Sequence, residues 1–139
     1  MHAHPHAKST HKDIKVVLSP YYTDDDVVGH FHRIIGTRRD QFKPFYIGAT
    51  TRQPLDRFKL PCRPAHSEVY DGMIVGWVGN AANAKRIERL VIEMAYKFFP
   101  YHCVNIRGTG GEGINAGGEY ASVYMCYGGR HQMLLARSR

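Results

Sequence analysis

Three side chains in the middle of the sequence carry groups that suit chemistry on a phosphate ester. Arg57 has a permanently charged, planar guanidinium whose N–H donors match phosphate oxygens. Glu88 borders an apolar helical stripe, and one carboxylate with water molecules suits Mg²⁺. Tyr46 offers a phenol, which needs strong electrostatic help to act as a base because its ordinary pKa is about 10. The ordinary alternatives are a surface arginine, a solvated glutamate and a tyrosine that packs its ring in a strand.

The elements that must position these residues follow from hydrophobic periodicity and from cap and turn signals. Thr23 and three aspartates after it predict a helix N-terminus, whereas the HFHRIIGTR stretch over 30–38 is extended in character. The stretch over 30–38 and the apolar, aromatic stretch over 44–50 predict the two strands of a hairpin, joined by a loop of several residues. Further strands are predicted over 14–18, 69–78 and 120–127, helices over 54–60 and 80–99, and a loop over 62–67.

An ordered set of motifs in this region resembles the signature of GIY-YIG endonucleases. Tyr46-Ile47-Gly48, then Thr50, Pro54, Leu55 and Arg57-Phe58, is similar to the second half of that signature. The later positions, a helix glutamate, an apolar residue, a proline and a closing asparagine, match in order Glu88, Ile92, Pro100 and Asn105. The resemblance covers residues 30 to about 105, and its specificity lies in the ordered combination.

The resemblance implies an α+β fold with a small central antiparallel sheet of about three strands flanked by helices, extended here by extra N- and C-terminal strands. It implies a metal-dependent endonuclease that cleaves phosphodiester bonds. In that interpretation Arg57 holds the scissile phosphate, Glu88 binds one Mg²⁺ or Mn²⁺ ion, and Tyr46 organises water or phosphate. Glu93 is a competing carboxylate, on a different face of the helix.

The sequence departs from the family upstream of Tyr46, where Ile34-Ile35-Gly36 stands and no Gly-Ile-Tyr motif occurs. His30 and His32 lie on the same predicted strand, and a histidine has a pKa well matched to a general base. The departure also motivates an alternative, a catalytically inactive nucleic-acid-binding or virion structural protein with this fold. A third interpretation is an unrelated α+β domain whose YIG tripeptide is simply part of a strand.

The charge of the chain favours nucleic acid as its partner. The formal net charge is +7 and the pI is near 9.5, and an excess of Lys and Arg attracts a polyanion by releasing its counterions. We expect DNA contacts from Arg38, Arg39, Arg52 and Lys59. The alternative is that the basic balance only maintains solubility.

The 139 residues suit one domain. We expect a disordered His-rich arm over 1–12 and a domain over 13–139, with its core at 30–105 and an extension at 106–139. The glycines at 108–113 lack the sequence of a phosphate-binding loop and predict a loop beside the DNA groove.

Cys62, Cys103 and Cys126 have no zinc or disulfide spacing. With no apolar run of about 18 residues, we expect an intracellular protein, cytoplasmic or nuclear. A viral or mobile-element origin and a homodimer are left open.

Overall fold

The computed structural model describes residues 13–18, 23–37, 44–59, 66–105 and 118–128. Within them the chain forms a sheet flanked by helices, which confirms the predicted α+β class. The elements in chain order are β1 (Ile14–Val16), α1 (Asp24–Thr37), β2 (Phe45–Thr50), α2 (Pro54–Lys59), α3 (His66–Val69), β3 (Gly72–Gly79), α4 (Ala81–Phe98) and β4 (Ala121–Tyr127). The predicted arm over 1–12 and the glycine-rich loop lie outside the described residues. None of the described helices has the length and apolar content needed to cross a bilayer.

The four strands form one mixed sheet in the order β1-β3-β4-β2. β4 lies between β3 and β2 and is antiparallel to both, whereas β1 runs parallel to β3 at one edge. The register places Tyr46 opposite Cys126 and Gly48 opposite Tyr124. The predicted strand over 120–127 therefore exists, but it occupies the interior of the sheet and is the neighbour of the YIG strand.

The predicted hairpin before Tyr46 is wrong, because residues 30–37 belong to α1. The helix begins with reciprocal hydrogen bonds between Thr23 and Asp26, in which each side chain accepts from the other backbone N–H. Val27, Phe31 and Ile35 follow at intervals of four and are all buried. This helical spacing, with the cap and the acidic first turn, overrides the extended preference of the β-branched and aromatic residues.

The boundaries of two other elements also differ from the prediction. Residues 66–69 form the short helix α3, where a loop was expected as far as residue 67 and a strand from residue 69. The strand β3 begins at Gly72. A four-residue helix has too few positions to show a periodicity, so sequence patterning could not distinguish it from a loop.

The two faces of the sheet are covered by different helices. On the α1/α4 face, Phe45 and Ile47 of β2 and Val123 and Met125 of β4 pack into a core with residues of α1 and α4. The intervening residues of the same strands point to the opposite side, as the period of two requires. This second side, the α2/α3 face, buries Tyr124 and Cys126 with Phe58 of α2 and Val69 of α3.

The close fit between Gly48 and Tyr124 generates a stability prediction. A Cβ on Gly48 would lie 2.4 Å from the Tyr124 Oη and 2.5 Å from its Cζ, and the fully buried Tyr124 ring has little room to move. We expect Gly48→Ala to lower the free energy of unfolding by about 1–3 kcal/mol through overpacking. Urea denaturation monitored by circular dichroism measures the change.

Gly29→Ala is the matched control for this substitution. Gly29 lies in α1, and the nearest atom that its Cβ would meet is 3.7 Å away. Here the methyl group should stabilise the protein by about 0.5–1 kcal/mol, because alanine loses less backbone entropy in a helix. Equal unfolding free energies for Gly48→Ala and the wild type would contradict the proposed contact.

Candidate functional site

The α2/α3 face carries a cluster of four aromatic side chains, which we call the aromatic cluster: Tyr46, His66, Tyr70 and Tyr124. The ring centroids of Tyr46 and His66 are 5.4 Å apart, and those of Tyr46 and Tyr70 are 6.4 Å apart with an interplanar angle of 25°. His66 lies 5.7 Å from the Tyr124 ring. Tyr46 and His66 are partly exposed, whereas Tyr70 and Tyr124 are buried. The cluster therefore has a partly exposed layer above a buried one.

The buried layer consists of phenols that keep their protons. Burial is the main reason that the pKa of Tyr124 is raised well above its ordinary value, and it likewise raises the pKa of Tyr70. The Tyr124 hydroxyl lies 3.0 Å from the Nε2 atom of His66, within hydrogen-bond distance. Tyr124 thus joins β4 to the short helix α3 beneath the exposed layer.

His66 is neutral near pH 7. Burial is the larger cause, and the positive charge of Arg57 the smaller one, of a pKa lowered to about 4. An imidazole in this state can donate or accept one hydrogen bond at each ring nitrogen, but it does not act as an imidazolium acid at neutral pH. The dominant fixed positive charge beside the cluster is therefore that of Arg57.

Arg57 and Glu88 come from α2 and α4, and both influence Tyr124. After the larger effects of burial, Cys126 and Tyr46, the charge of Arg57 lowers the pKa of Tyr124 and that of Glu88 raises it. Coulombic effects of this kind require proximity in a poorly solvated region. Arg57 is half-buried, and Glu88 is only 9% exposed. A cation and an anion therefore both lie within electrostatic reach of one buried hydroxyl.

Asn105 fixes the strand that carries Tyr46. Its Oδ1 accepts from the Ile47 N–H at 2.8 Å, and its Nδ2 donates to the Ile47 carbonyl at 2.8 Å. The Tyr96 hydroxyl donates to the Asn105 backbone carbonyl and so ties this residue to α4. Next to it, the Phe45 N–H donates to the His102 carbonyl and the Val104 N–H to the Phe45 carbonyl, each at 2.9 Å. The edge of β2 that faces away from β4 is thereby paired on both sides of Tyr46.

The structure does not bring His30 and His32 to Tyr46. His30 is buried in α1 and donates from Nε2 to the Val17 carbonyl at 2.6 Å. His32 packs against the rings of Phe98 and Phe99, with centroids at 4.9 and 5.3 Å. The reason is that residues 30–37 form a helix on the α1/α4 face, so the prediction that these histidines lie on a strand is wrong.

His66 is the site residue that sequence reasoning missed. It was assigned to a loop, and nothing in the motif points to it. Its spacing of four to Tyr70 puts the two side chains on the same side of a helical turn, but this spacing alone does not predict a helix. The two rings are 6.1 Å apart in an edge-to-face arrangement.

The residues predicted to bind nucleic acid are only partly described. Arg52 and Lys59 are exposed, at the turn before α2 and at its end. The backbone N–H of Arg52 donates to the Thr50 hydroxyl at 3.0 Å, which holds the turn that leads out of β2. Arg38 and Arg39 lie outside the described residues.

The donor set constrains any metal site. Among the residues that the structure describes, no three His, Cys, Asp or Glu side chains are grouped to hold an ion. The single carboxylate of Glu88 could hold only an ion whose other ligands are water and substrate. Mg²⁺ is usually coordinated in this way at phosphate-binding sites. A zinc site built from several protein ligands is not present in this part of the chain.

Comparisons with known proteins do not identify the site. No family model matches the chain, and no curated protein or solved structure is significantly similar to it. The chemistry of the site must therefore be inferred from its own residues.

The paired hydrogen bonds of Asn105 predict a large effect of its removal. Asn105→Ala leaves the buried N–H and C=O of Ile47 without these partners, and we expect a loss of about 2–5 kcal/mol in the free energy of unfolding. Chemical denaturation measures it. Asn83→Ala is the control, because its side chain bonds the exposed Arg86, and we expect a loss below about 1 kcal/mol. Similar losses in both variants would contradict the role of Asn105.

The lowered pKa of His66 predicts a pH-dependent stability. The unfolded chain, with a histidine pKa near 6.5, binds a proton before the folded one does as the pH falls. The contribution of neutral His66 is thus complete above pH 6.5 and is lost between pH 6.5 and 4. We expect the difference in unfolding free energy between wild type and His66→Asn to decrease across this window by about 1–3 kcal/mol.

Denaturation curves at several pH values measure this difference. In the Arg57→Ala background, the pH range over which this difference changes should become narrower. One of the two causes that lower the His66 pKa is then removed, so the folded-state pKa lies closer to the unfolded value. A difference between wild type and His66→Asn that does not vary with pH would contradict the assignment.

Proposed function

We propose that the protein is a metal-dependent endonuclease that hydrolyses phosphodiester bonds in nucleic acid, with DNA as the expected substrate. The observation that carries the proposal is the shared electrostatic reach of Arg57 and Glu88 at Tyr124, beside the tyrosine of the YIG tripeptide. Hydrolysis of a phosphodiester needs neutralisation of negative charge on the phosphorus oxygens, a positioned water and protonation of the leaving oxygen. A guanidinium, a carboxylate and hydroxyl groups in one region supply the groups for these tasks.

Each residue has a distinct role in this proposal. Arg57 is partly exposed and binds the oxygens of the scissile phosphate through its planar fork of donors. Glu88 would hold one Mg²⁺ or Mn²⁺ ion, which supplies Lewis-acid activation of a phosphate oxygen or water when bound. Tyr46, held between the paired residues Phe45 and Ile47, orients the attacking water or the phosphate.

Three further features support a nucleic-acid substrate. The formal charge of +7 favours a polyanion. Arg52 and Lys59 are exposed near the ends of α2, the helix that also carries Arg57. The ordered resemblance to GIY-YIG endonucleases points to the same substrate. The proposal places the activity where nucleic acid is found, in the cytoplasm or the nucleus.

The second candidate is a nucleic-acid-binding protein that does not cleave. It is favoured by the burial of Glu88, which is 9% exposed and has little open surface for an ion, and by the missing Gly-Ile-Tyr motif. Such a protein would bind nucleic acid in a salt-sensitive way without changing it.

A plasmid-nicking assay with Mg²⁺ or Mn²⁺ distinguishes the two candidates. We expect nicking that stops on chelation and falls by about 100-fold or more in Arg57→Ala and in Glu88→Gln, because each removes charge stabilisation of the transition state. Binding of the same DNA, measured by fluorescence anisotropy, should persist in Glu88→Gln.

The matched controls are Glu93→Gln and Arg33→Ala. Glu93 is an exposed carboxylate on the same helix as Glu88, and Arg33 is an exposed arginine on α1. Both variants should nick DNA at the wild-type rate. Salt-sensitive binding without any nicking by the wild type would reject the endonuclease and support the second candidate.

A further inference from the structure

The hydrogen bond between Tyr124 and His66 has a direction that the surroundings of the two groups determine. Tyr124 is 0% exposed, and its hydroxyl lies above Gly48 at the level of the sheet. Its partner is the Nε2 atom of His66, at 3.0 Å. Within the described part of the chain, neither side chain makes any other hydrogen bond.

Two arrangements of protons are possible for this pair. If Nε2 carries the proton and donates to the phenol oxygen, the hydroxyl proton of Tyr124 is buried without an acceptor among the residues that the structure describes. If Tyr124 donates to Nε2, its proton is satisfied, and the imidazole proton moves to Nδ1, on the other side of a ring that is partly exposed. A buried donor without an acceptor is costly, which favours the second arrangement by about tenfold or more.

We infer that Tyr124 is a positioning residue that holds His66 as the neutral Nδ1–H tautomer, so that the site presents an uncharged N–H donor to a phosphate oxygen beside Arg57. The pKa of His66, which burial and the charge of Arg57 lower to about 4, leaves the ring neutral near pH 7, as this tautomer requires. The identification of the phosphate as that of a nucleic acid rests on the proposed function. The tautomer itself does not.

This arrangement gives His66 and Arg57 complementary tasks. Arg57 supplies charge, whereas a neutral N–H adds a directional hydrogen bond without a second cation near the ion that Glu88 would hold. A neutral donor also needs no protonation step, so its contribution does not depend on pH above about 5, given the His66 pKa of about 4. His66 in this tautomer has no lone pair on Nδ1 and is a hydrogen-bond donor there, not a base.

The ring ¹⁵N chemical shifts of the full-length protein test the tautomer directly, since protonated and unprotonated ring nitrogens differ strongly in shift. The His66 signals are assigned by their absence in His66→Asn. We expect protonated Nδ1 and unprotonated Nε2 in the wild type near pH 7. In Tyr124→Phe, which keeps the ring and removes only the hydroxyl, the populations should shift towards Nε2–H and the pKa of His66 should rise.

Tyr70→Phe is the control, because the Tyr70 ring also packs against His66, at 6.1 Å, and the hydrogen bond from the Tyr70 backbone N–H to the His66 carbonyl is kept in this variant. This variant should keep the wild-type tautomer. An Nε2–H form in the wild type, or an unchanged tautomer ratio in a folded Tyr124→Phe protein, would overturn the inference.

A second measurement tests the donor role with inorganic phosphate as the probe. Phosphate should shift the His66 Nδ1 resonance, and Arg57→Ala should weaken this binding by about tenfold or more. His66→Asn should retain most of the affinity, since an asparagine amide occupies the position of Nδ1, whereas His66→Gln, whose amide reaches the position of Nε2, should lose about tenfold. Equal affinities of the two variants, or no phosphate-dependent shift, would overturn the donor role.

The two proposals fail in distinguishable ways. Wild-type protein with the expected tautomer and phosphate binding but no nicking would reject the endonuclease and retain the role of Tyr124 and His66. Nicking by a protein whose His66 carries its proton on Nε2 would reject the inference alone.

Discussion

The backbone pairing of β4 is the interaction on which the rest of this structure depends. β2 and β3 do not pair with each other in the sheet, and each is hydrogen-bonded to β4 between them. Because successive residues of β4 point to opposite faces, Val123 and Met125 fill the core beneath α1 and α4, whereas Tyr124 fills the core beneath α2 and α3. The same strand therefore connects the two halves of the sheet, both cores and the candidate site. For β2 and β4 to pair, residues 45–50 must meet residues 121–127. Closing the long loop between them costs chain entropy, so we expect this pairing to form late in folding.

Burial sets the electrostatic state of the candidate site. It keeps the phenols of Tyr70 and Tyr124 protonated and is the main reason that His66 stays neutral. With these three side chains neutral, the ionic residues beside the aromatic cluster are Arg57 and Glu88. In a poorly solvated region these two charges act over a longer range than they would at an exposed surface. A site of this kind provides one fixed cation and one carboxylate among neutral hydrogen-bonding groups.

Residues whose placement depends on local pattern were predictable from the sequence, and those whose placement depends on distant pairing were not. The apolar stripe that includes Ile87 and Met94 predicts α4, and in the structure Asn80 caps this helix by accepting from the Asn83 N–H. The strand that carries Tyr46 was also predictable. His30 was misplaced because the β-branched and aromatic residues around it favour a strand, whereas the buried positions of α1 recur every four residues. His66 could not be placed, because its position depends on a hydroxyl from a strand 58 residues further along the chain.

The strand that carries Tyr46 takes its sheet neighbour from a later part of the chain. The sequence before Tyr46 was expected to form an antiparallel neighbour of this strand, but it forms α1. β4 supplies that neighbour from a later part of the chain, and it places a tyrosine, Tyr124, directly opposite Gly48. The glycine accommodates the tyrosine ring, since any side chain at this position would collide with it. A motif defined by its order along the chain does not reveal this arrangement. Hydrogen bonding and packing depend on which strands are adjacent in space, whatever their order in the sequence.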